Sequence, residues 1–193
     1  MCIRDSTGSV MFVDPSGTGK DQTAISCVKM LNGNLYVTEC LGLSGGYSDR
    51  VLEKIAKVAR DNKINKILVE QNFGGGMFSQ LLKPFLMRFH PCQLEDVRNN
   101  KTKELRIIDT LEPVMNSHRL IIDQKVIEKD FRSNSQETPE RRLKLQLIYQ
   151  LSRLSRHKGS LVHDDLVDSL AGAVAYWTEY MAQTEDLNIS KRK

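Results

Sequence analysis

Asn32-Gly33 lies between two apolar runs, Thr23–Met30 and Leu35–Leu41, and this dipeptide constrains the fold more than any other feature of the chain. Asparagine and glycine accept the positive φ of a two-residue turn, so the flanking runs read as the strands of an antiparallel hairpin. Upstream, Ser9–Asp14 is a further apolar run that stops on an acid and a Pro-Ser-Gly turn. Downstream the hydrophobic period changes. A Gly-rich loop (Leu43–Tyr47) leads to Ser48, a residue type suited to a helix N-cap, with Asp49 beside it. Val51, Leu52, Ile55, Val58 and Ala59 then recur at helical spacing to about Asp61.

The rest of the chain alternates in the same way. Lys66–Glu70 is an apolar strand ending on an acid, and Gly74–Gly76 opens a helix from Met77 to about Phe89. Cys92–Val97 reads as a strand, and Thr102–His118 as a helix with Leu105, Ile108, Leu111, Val114 and Met115 as its apolar stripe. Arg119–Ile122 is a short extended piece, Ser133–Thr138 a polar loop, and Leu143–Leu154 a helix beneath a basic face. A last helix starts near His163-Asp164-Asp165 and runs to about Met181. This order predicts an α/β fold: a mixed five-stranded sheet, three antiparallel strands followed by parallel βα units, flanked by helices. Residues 1–8 read as a leader outside the fold, 9–183 as one domain and 184–193 as a polar tail, and 193 residues suffice for one well-buried domain.

Composition narrows the function classes. No apolar run approaches the roughly 18 residues of a membrane span, and no secretory signal pattern is present. The four cysteines (2, 27, 40 and 92) form no CxxC pair, which argues against a zinc knuckle or a disulfide framework; Cys27 and Cys40 sit in strand-like runs and read as buried thiols. Net charge is +4. Arg141, Arg142, Lys144, Arg153, Arg156 and Lys158 follow one another without an intervening acid, as a solvated helix face or a nucleic-acid surface would.

Three acids stand out by position. Asp14 closes the first strand, Glu70 closes the fourth, and Asp165 falls in the first turn of the last helix. In this strand order the first and fourth strands are parallel neighbours, so their C-terminal ends meet at the sheet edge where α/β proteins build ligand sites. Carboxylates gathered there repel one another unless a cation intervenes, and hard oxygen donors suit Mg²⁺ or Mn²⁺. Two such ions about 3.5–4 Å apart are the usual apparatus of phosphodiester hydrolysis. Each acid also has a plain structural reading. Asp14 in Asp-Pro-Ser-Gly suits a turn, Glu70 suits an exposed strand end, Asp164 or Asp165 suits a helix cap, and Asp168 is either a further ligand or a surface acid. Their convergence on one location favours chemistry.

Other motifs carry less. Gly17-Thr18-Gly19-Lys20 is not a P-loop, which would need glycine at 14 and Ser or Thr at 21, where the chain has Asp14 and Asp21. Lys20 remains available to a phosphate. Gly74-Gly75-Gly76 beside Glu70 either lets a DNA strand approach the backbone or simply turns the chain. His163 reads as structural more readily than as a ligand.

Four blocks in order resemble the large terminase subunit of short-tailed phages: Asp14-Pro15-Ser16-Gly17-x-Gly19-Lys20-Asp21, Val69-Glu70-Gln71-Asn72-Phe73-Gly74-Gly75-Gly76-Met77-Phe78, Thr110-Leu111-Glu112-Pro113-Val114-Met115-Asn116-Ser117-His118-Arg119-Leu120, and His163-Asp164-Asp165-Leu166-Val167-Asp168-Ser169-Leu170-Ala171. The resemblance spans about residues 10 to 180. It implies a ribonuclease H-like nuclease that cuts concatemeric double-stranded DNA during packaging with two Mg²⁺ or Mn²⁺ ions. It further implies work beside a small terminase subunit and a portal, in the cytoplasm of an infected bacterium. By motif position Asp14, Glu70 and Asp165 are the catalytic acids, with Asp164 and Asp168 as neighbouring metal-ligand candidates; Asp165 and Asp168 reproduce the Asp-x-x-Asp of related resolvase-type nucleases. DNA contacts are expected from Lys20, Gly74, Gly75, Arg98, Lys101, Lys103, Arg141, Arg142, Lys144 and Arg153. Members of the family also carry an N-terminal ATPase with a true P-loop, and this sequence holds none. A resolvase- or transposase-like nuclease and a non-catalytic DNA- or portal-docking module are the competing readings. An actin-like phosphotransferase ranks last for want of a second phosphate loop.

Overall fold

The computed structural model describes residues 8–17, 22–71, 76–98, 103–157, 159 and 161–190, with side chains to 184. A six-stranded sheet in the order β5-β4-β1-β2-β3-β6 forms its centre. β1 (Gly8–Asp14), β2 (Thr23–Leu31) and β3 (Asn34–Leu43) run antiparallel in succession. Asn32 and Gly33 make the expected tight turn, with φ of 50° and 77°. β4 (Lys66–Glu70) then pairs parallel with β1, and β5 (Gln93–Val97) parallel with β4.

Alternation along β1 divides the core. Met11 and Val13 face α1 (Asp49–Asp61) and α2 (Met77–Phe89), where they pack with Leu52, Ile55, Phe78 and Leu82. Val10 and Phe12 face the other way, toward α3 (Lys103–Asn116) and α7 (Asp165–Ser190). Helices thus cover both faces of the sheet, as the mixed strand pattern requires. α7 lies close on β1. A Cβ on Gly172 would stand 2.4 Å from the Phe12 ring, and Ser169 Oγ donates to the Phe12 carbonyl at 3.2 Å.

Several features differ from the sequence reading, among them α7, which runs to Ser190 through the stretch expected to be a polar tail. The sheet has six strands, not five, because the extended piece after Arg119 becomes β6 (Leu120–Ile122) and pairs parallel with β3. Arg119 anchors it: its carbonyl accepts from Leu35 N at 2.8 Å and its Nε donates to the Gly33 carbonyl at 2.8 Å. Next, α4 (Gln124–Arg132) forms where the sequence reading places no element; Val126 is its one buried apolar residue, and Ile127 and Phe131 are exposed. Finally, the basic stretch is two short helices, α5 (Pro139–Lys144) and α6 (Leu147–Arg153). The break is held by Asp130, whose two carboxylate oxygens accept from Leu147 N at 2.7 Å and Ile148 N at 3.1 Å. No apolar periodicity reports such a side-chain cap.

The stripe of α3 is also rotated from the expected one. Ile107, Leu111 and Val114 are buried, whereas Leu105 and Met115 are exposed. Cys27 and Cys40 are buried free thiols. Among the described residues no helix is long and apolar enough to cross a membrane.

Candidate metal centre

β1 and β4 run parallel in register from Val10↔Lys66 to Val13↔Val69, so the next residues, Asp14 and Glu70, end neighbouring strands side by side. Both stand on the face that α7 covers, in step with Phe12 and Leu68. α7 supplies the third group. The first turn of this helix is tied by Asp168 N, which donates to the Asp164 carbonyl at 2.9 Å, and by Val167 N, which donates to Gln150 Oε1 at 3.2 Å.

Asp14, Glu70 and Asp168 each offer a carboxylate oxygen, and these oxygens lie within 4.8 Å of one another. The residues are 6%, 6% and 2% exposed, so water screens them little. Asp165 falls outside that trio but is near enough to act on Asp14 electrostatically. Among the described residues no histidine or cysteine joins the group.

Two cations from α3 face the acids. Arg106 reaches Asp168 Oδ1 at 2.5 Å and Glu70 Oε1 at 3.8 Å. Lys103 Nζ lies 2.9 Å from Asp164 Oδ1 and 3.2 Å from Asp168 Oδ2. They do not balance the site. Burial first, and then Asp168 and Glu70, push the Asp14 carboxyl up to about 8, against the opposing pull of Lys103. Burial likewise raises Asp168, although Lys103 and Arg106 oppose it. Burial would lower the Lys103 ammonium, but Asp168, Asp164 and Asp14 together hold it well above its ordinary range. A buried set of hard oxygens with excess negative charge suits a hard divalent cation.

Arg106 is absent from the sequence reading, although its spacing on α3 carries a signal. A stripe drawn through Ile107, Leu111 and Val114 places Lys103 one turn before Ile107 and Arg106 next to it, facing the sheet. The stripe drawn through Leu105 turns both outward.

The other expected DNA-contact residues are scattered. Lys20, Gly74, Gly75 and Lys101 lie outside the described residues. Arg98 Nε donates to Gln71 Oε1 at 2.6 Å, directly after Glu70. Arg141 pairs with Glu137 at 3.4 Å, Lys144 with Glu140 at 2.8 Å, and the Arg153 guanidinium stacks 5.9 Å from the Tyr149 ring. Arg142 donates to the Ser133 carbonyl at 3.0 Å and to the Phe131 carbonyl. Of these cations, Lys103 is the one whose described contacts include the acid cluster.

Three antiparallel strands, a parallel fourth, and acids at the ends of the first and fourth beside a covering helix define a ribonuclease H-like domain with an acidic centre. Comparison with known proteins narrows this. Residues 13–120, more than half the chain, match the family described as Terminase Bacteriophage T7, Ribonuclease H-like domain. The large terminase subunit of Enterobacteria phage T3 is 40% identical over 182 residues, covering 94% of this chain and 30% of that protein. The chain belongs to this terminase family, and spans under a third of that relative's length. Solved structures carry the same fold at low identity. The human cytomegalovirus terminase nuclease domain aligns with a TM-score of 0.61 at 14% identity, covering 91% of this chain and 86% of that one. The nuclease domain of the large terminase subunit gp2 of bacterial virus Sf6 aligns at 0.51 with 13% identity, covering 88% of each. Both proteins have also been solved with manganese.

Proposed function

We propose that this chain is the nuclease part of a terminase large subunit, a metal-dependent endonuclease that cuts double-stranded phage DNA concatemers during genome packaging. The observation that carries this reading is the convergence of Asp14, Glu70 and Asp168, with oxygens within 4.8 Å of one another, at one edge of the sheet.

Asp14 and Glu70 are the strand-borne ligands, and the start of α7 contributes the rest through Asp165 and Asp168, with Asp164 at the rim. Asp14 would hold the metal together with Glu70 and Asp168, its nearest carboxylate neighbours. These carboxylates would hold Mg²⁺ or Mn²⁺, which would supply activation of a water and charge neutralisation at the leaving oxygen of the phosphodiester. Cleavage by in-line attack leaves a 3′-hydroxyl and a 5′-phosphate. Arg106 keeps Asp168 and Glu70 facing the site, which fixes their geometry before DNA arrives. Lys103, half-exposed at the rim, stands where a phosphate oxygen would compete for it.

Duplex DNA is the substrate. The small terminase subunit and the portal are partners through the longer protein, and the cytoplasm of the infected bacterium is where the reaction takes place. Plasmid nicking and linearisation in Mn²⁺, with the chain and Asp14→Asn side by side, tests the reading. Metal-dependent cutting should fall at least about 100-fold in the variant, a loss no smaller than that for groups that merely support ligands. Equal cutting by both would overturn it, and no cutting by a folded wild-type chain would favour a docking module.

A further inference from the structure

A second feature of the same sheet edge has no structural work assigned to it. The end of β3 and the first two turns of α1 enclose a groove of about 570 Å³, lined by Gly42, Ser44, Arg50, Glu53, Lys54 and Lys57. Lys57 is engaged by Glu53 at 2.5 Å. Arg50 and Lys54, four residues apart on one side of α1, are exposed and make no ion pair or side-chain hydrogen bond with any described residue. The basic residues of α5 differ, since each is held by an acid or a carbonyl.

Sheet register fixes where this groove lies. Asp14 pairs with Ala24, and Ala24 with Gly42, so acid and groove floor share one row of the sheet. Two strand spacings separate them, about 10 Å. Gly46 lies against the turn after Asp14 so closely that a Cβ on it would meet the Gly17 carbonyl oxygen at 2.9 Å. Gly45 beside it is exposed, with φ of 121°. The groove floor is pinned by Gln22, whose Nε2 donates to Ser44 Oγ at 3.2 Å and to Asn134 Oδ1 at 2.8 Å.

We infer that duplex DNA engaged at the acid cluster crosses the Gly45-Gly46 loop and lays backbone phosphates in this groove, against Arg50 and Lys54. Unpaired cations on α1, which covers the opposite face at the same end of the sheet as the acids, fit a polyanion wide enough to reach round that edge past exposed Gly45. Contacts of this kind position the duplex without reading its sequence.

This inference rests on the nuclease reading, and the test separates the two. Fluorescence anisotropy of a labelled 30-base-pair duplex, in EDTA across a salt series, compares the full chain with Arg50→Ala/Lys54→Ala. Mn²⁺ binding by calorimetry and a thermal melt accompany both. The double variant should bind about 10-fold or more weakly at low salt, with a log–log salt slope shallower by about 2. Its Mn²⁺ affinity and melting temperature should be unchanged. A wild-type chain that binds DNA while the variant keeps the full slope overturns the groove and leaves the nuclease reading standing. A wild-type chain with no affinity for DNA overturns both.

Discussion

Arg106 holds Asp168 at 2.5 Å across 62 residues of sequence, and this bond joins the inserted helix α3 to the first turn of α7 inside the acid cluster. With side chains 13% and 3% exposed, it is a buried ion pair. Removing Arg106 leaves Asp168 with Lys103 as its remaining cation, at a cost of up to about 3–5 kcal/mol. Arg106→Met should therefore lower the melting temperature by several degrees or more in metal-free buffer. Arg106→Lys should lose less, since it keeps the charge and loses the planar fork. Saturating Mn²⁺ should restore part of the loss in both, because added positive charge replaces what was removed. Differential scanning fluorimetry with and without metal reads all three outcomes.

Asp14 predicts a pH dependence of the opposite kind to most carboxylates. Burial and the neighbouring acids push its carboxyl up to about 8 in the folded protein, against an ordinary 3.8, so the folded state binds the proton more tightly. Its contribution to stability is complete below pH about 4 and is lost as pH rises toward 8, by up to roughly 5 kcal/mol. In EDTA, Asp14→Asn should leave stability near the wild-type value at pH 4 and raise it increasingly toward pH 8. Mn²⁺ should reverse the order at pH 8, stabilising wild type by mass action and the variant far less. Melting temperatures at four pH values, in EDTA and in Mn²⁺, check both signs.

Gly172 sets how closely α7 approaches the sheet. A methyl group there would fall 2.4 Å from the Phe12 ring, inside a packed core. Gly172→Ala should destabilise by about 1–3 kcal/mol. It should also slow cutting at temperatures where the variant is fully folded, because the acids of α7 move away from Asp14 and Glu70. A melting curve with a cleavage time course at 20 °C separates the two effects. Loss of stability with unchanged cutting would mean that α7 shifts without carrying its carboxylates.

These couplings show what a linear sequence reveals and what it conceals. The hairpin at Asn32-Gly33, the change of period at Val51, and acids at the ends of Lys66–Glu70 and Ser9–Asp14 are local signals, and they lead to the sheet edge where Asp14 and Glu70 meet. The acids of α7 carry no such local signal. Asp165 and Asp168 are one helical turn apart, and only the docking of Gly172 on Phe12 fixes the rotation of α7 that puts Asp168 oxygens nearest the strand acids. Arg106 was hidden for a related reason. Leu105 and Met115 are as apolar as Ile107 and Val114, so two stripes on α3 were open, and contact with α7 selects between them. β6 has three residues, too few for any period to register.

Asp130 lies farther from the acids but is connected to them. It is 5% exposed, and its oxygens accept from the Leu147 and Ile148 amides, so it caps α6 from a neighbouring helix. α6 in turn presents Gln150, whose Oε1 accepts from Val167 N in the first turn of α7, two residues from Asp165. Asp130→Ala should free one buried and one part-buried amide and cost about 2–4 kcal/mol, more than a surface cap does. Asp130→Asn keeps one acceptor oxygen and should cost roughly half as much. Because α6 holds the start of α7, Asp130→Ala should also weaken Mn²⁺ binding at a temperature where the protein remains folded. Gln150→Leu should reproduce that weakening with a smaller loss of stability. Hydrogen exchange at Val167 and Asp168 gives the direct readout. Faster exchange in both variants would establish the path from Asp130 through Gln150 to the acids. Protection unchanged in Asp130→Ala would mean that α7 orders its first turn without help from α6.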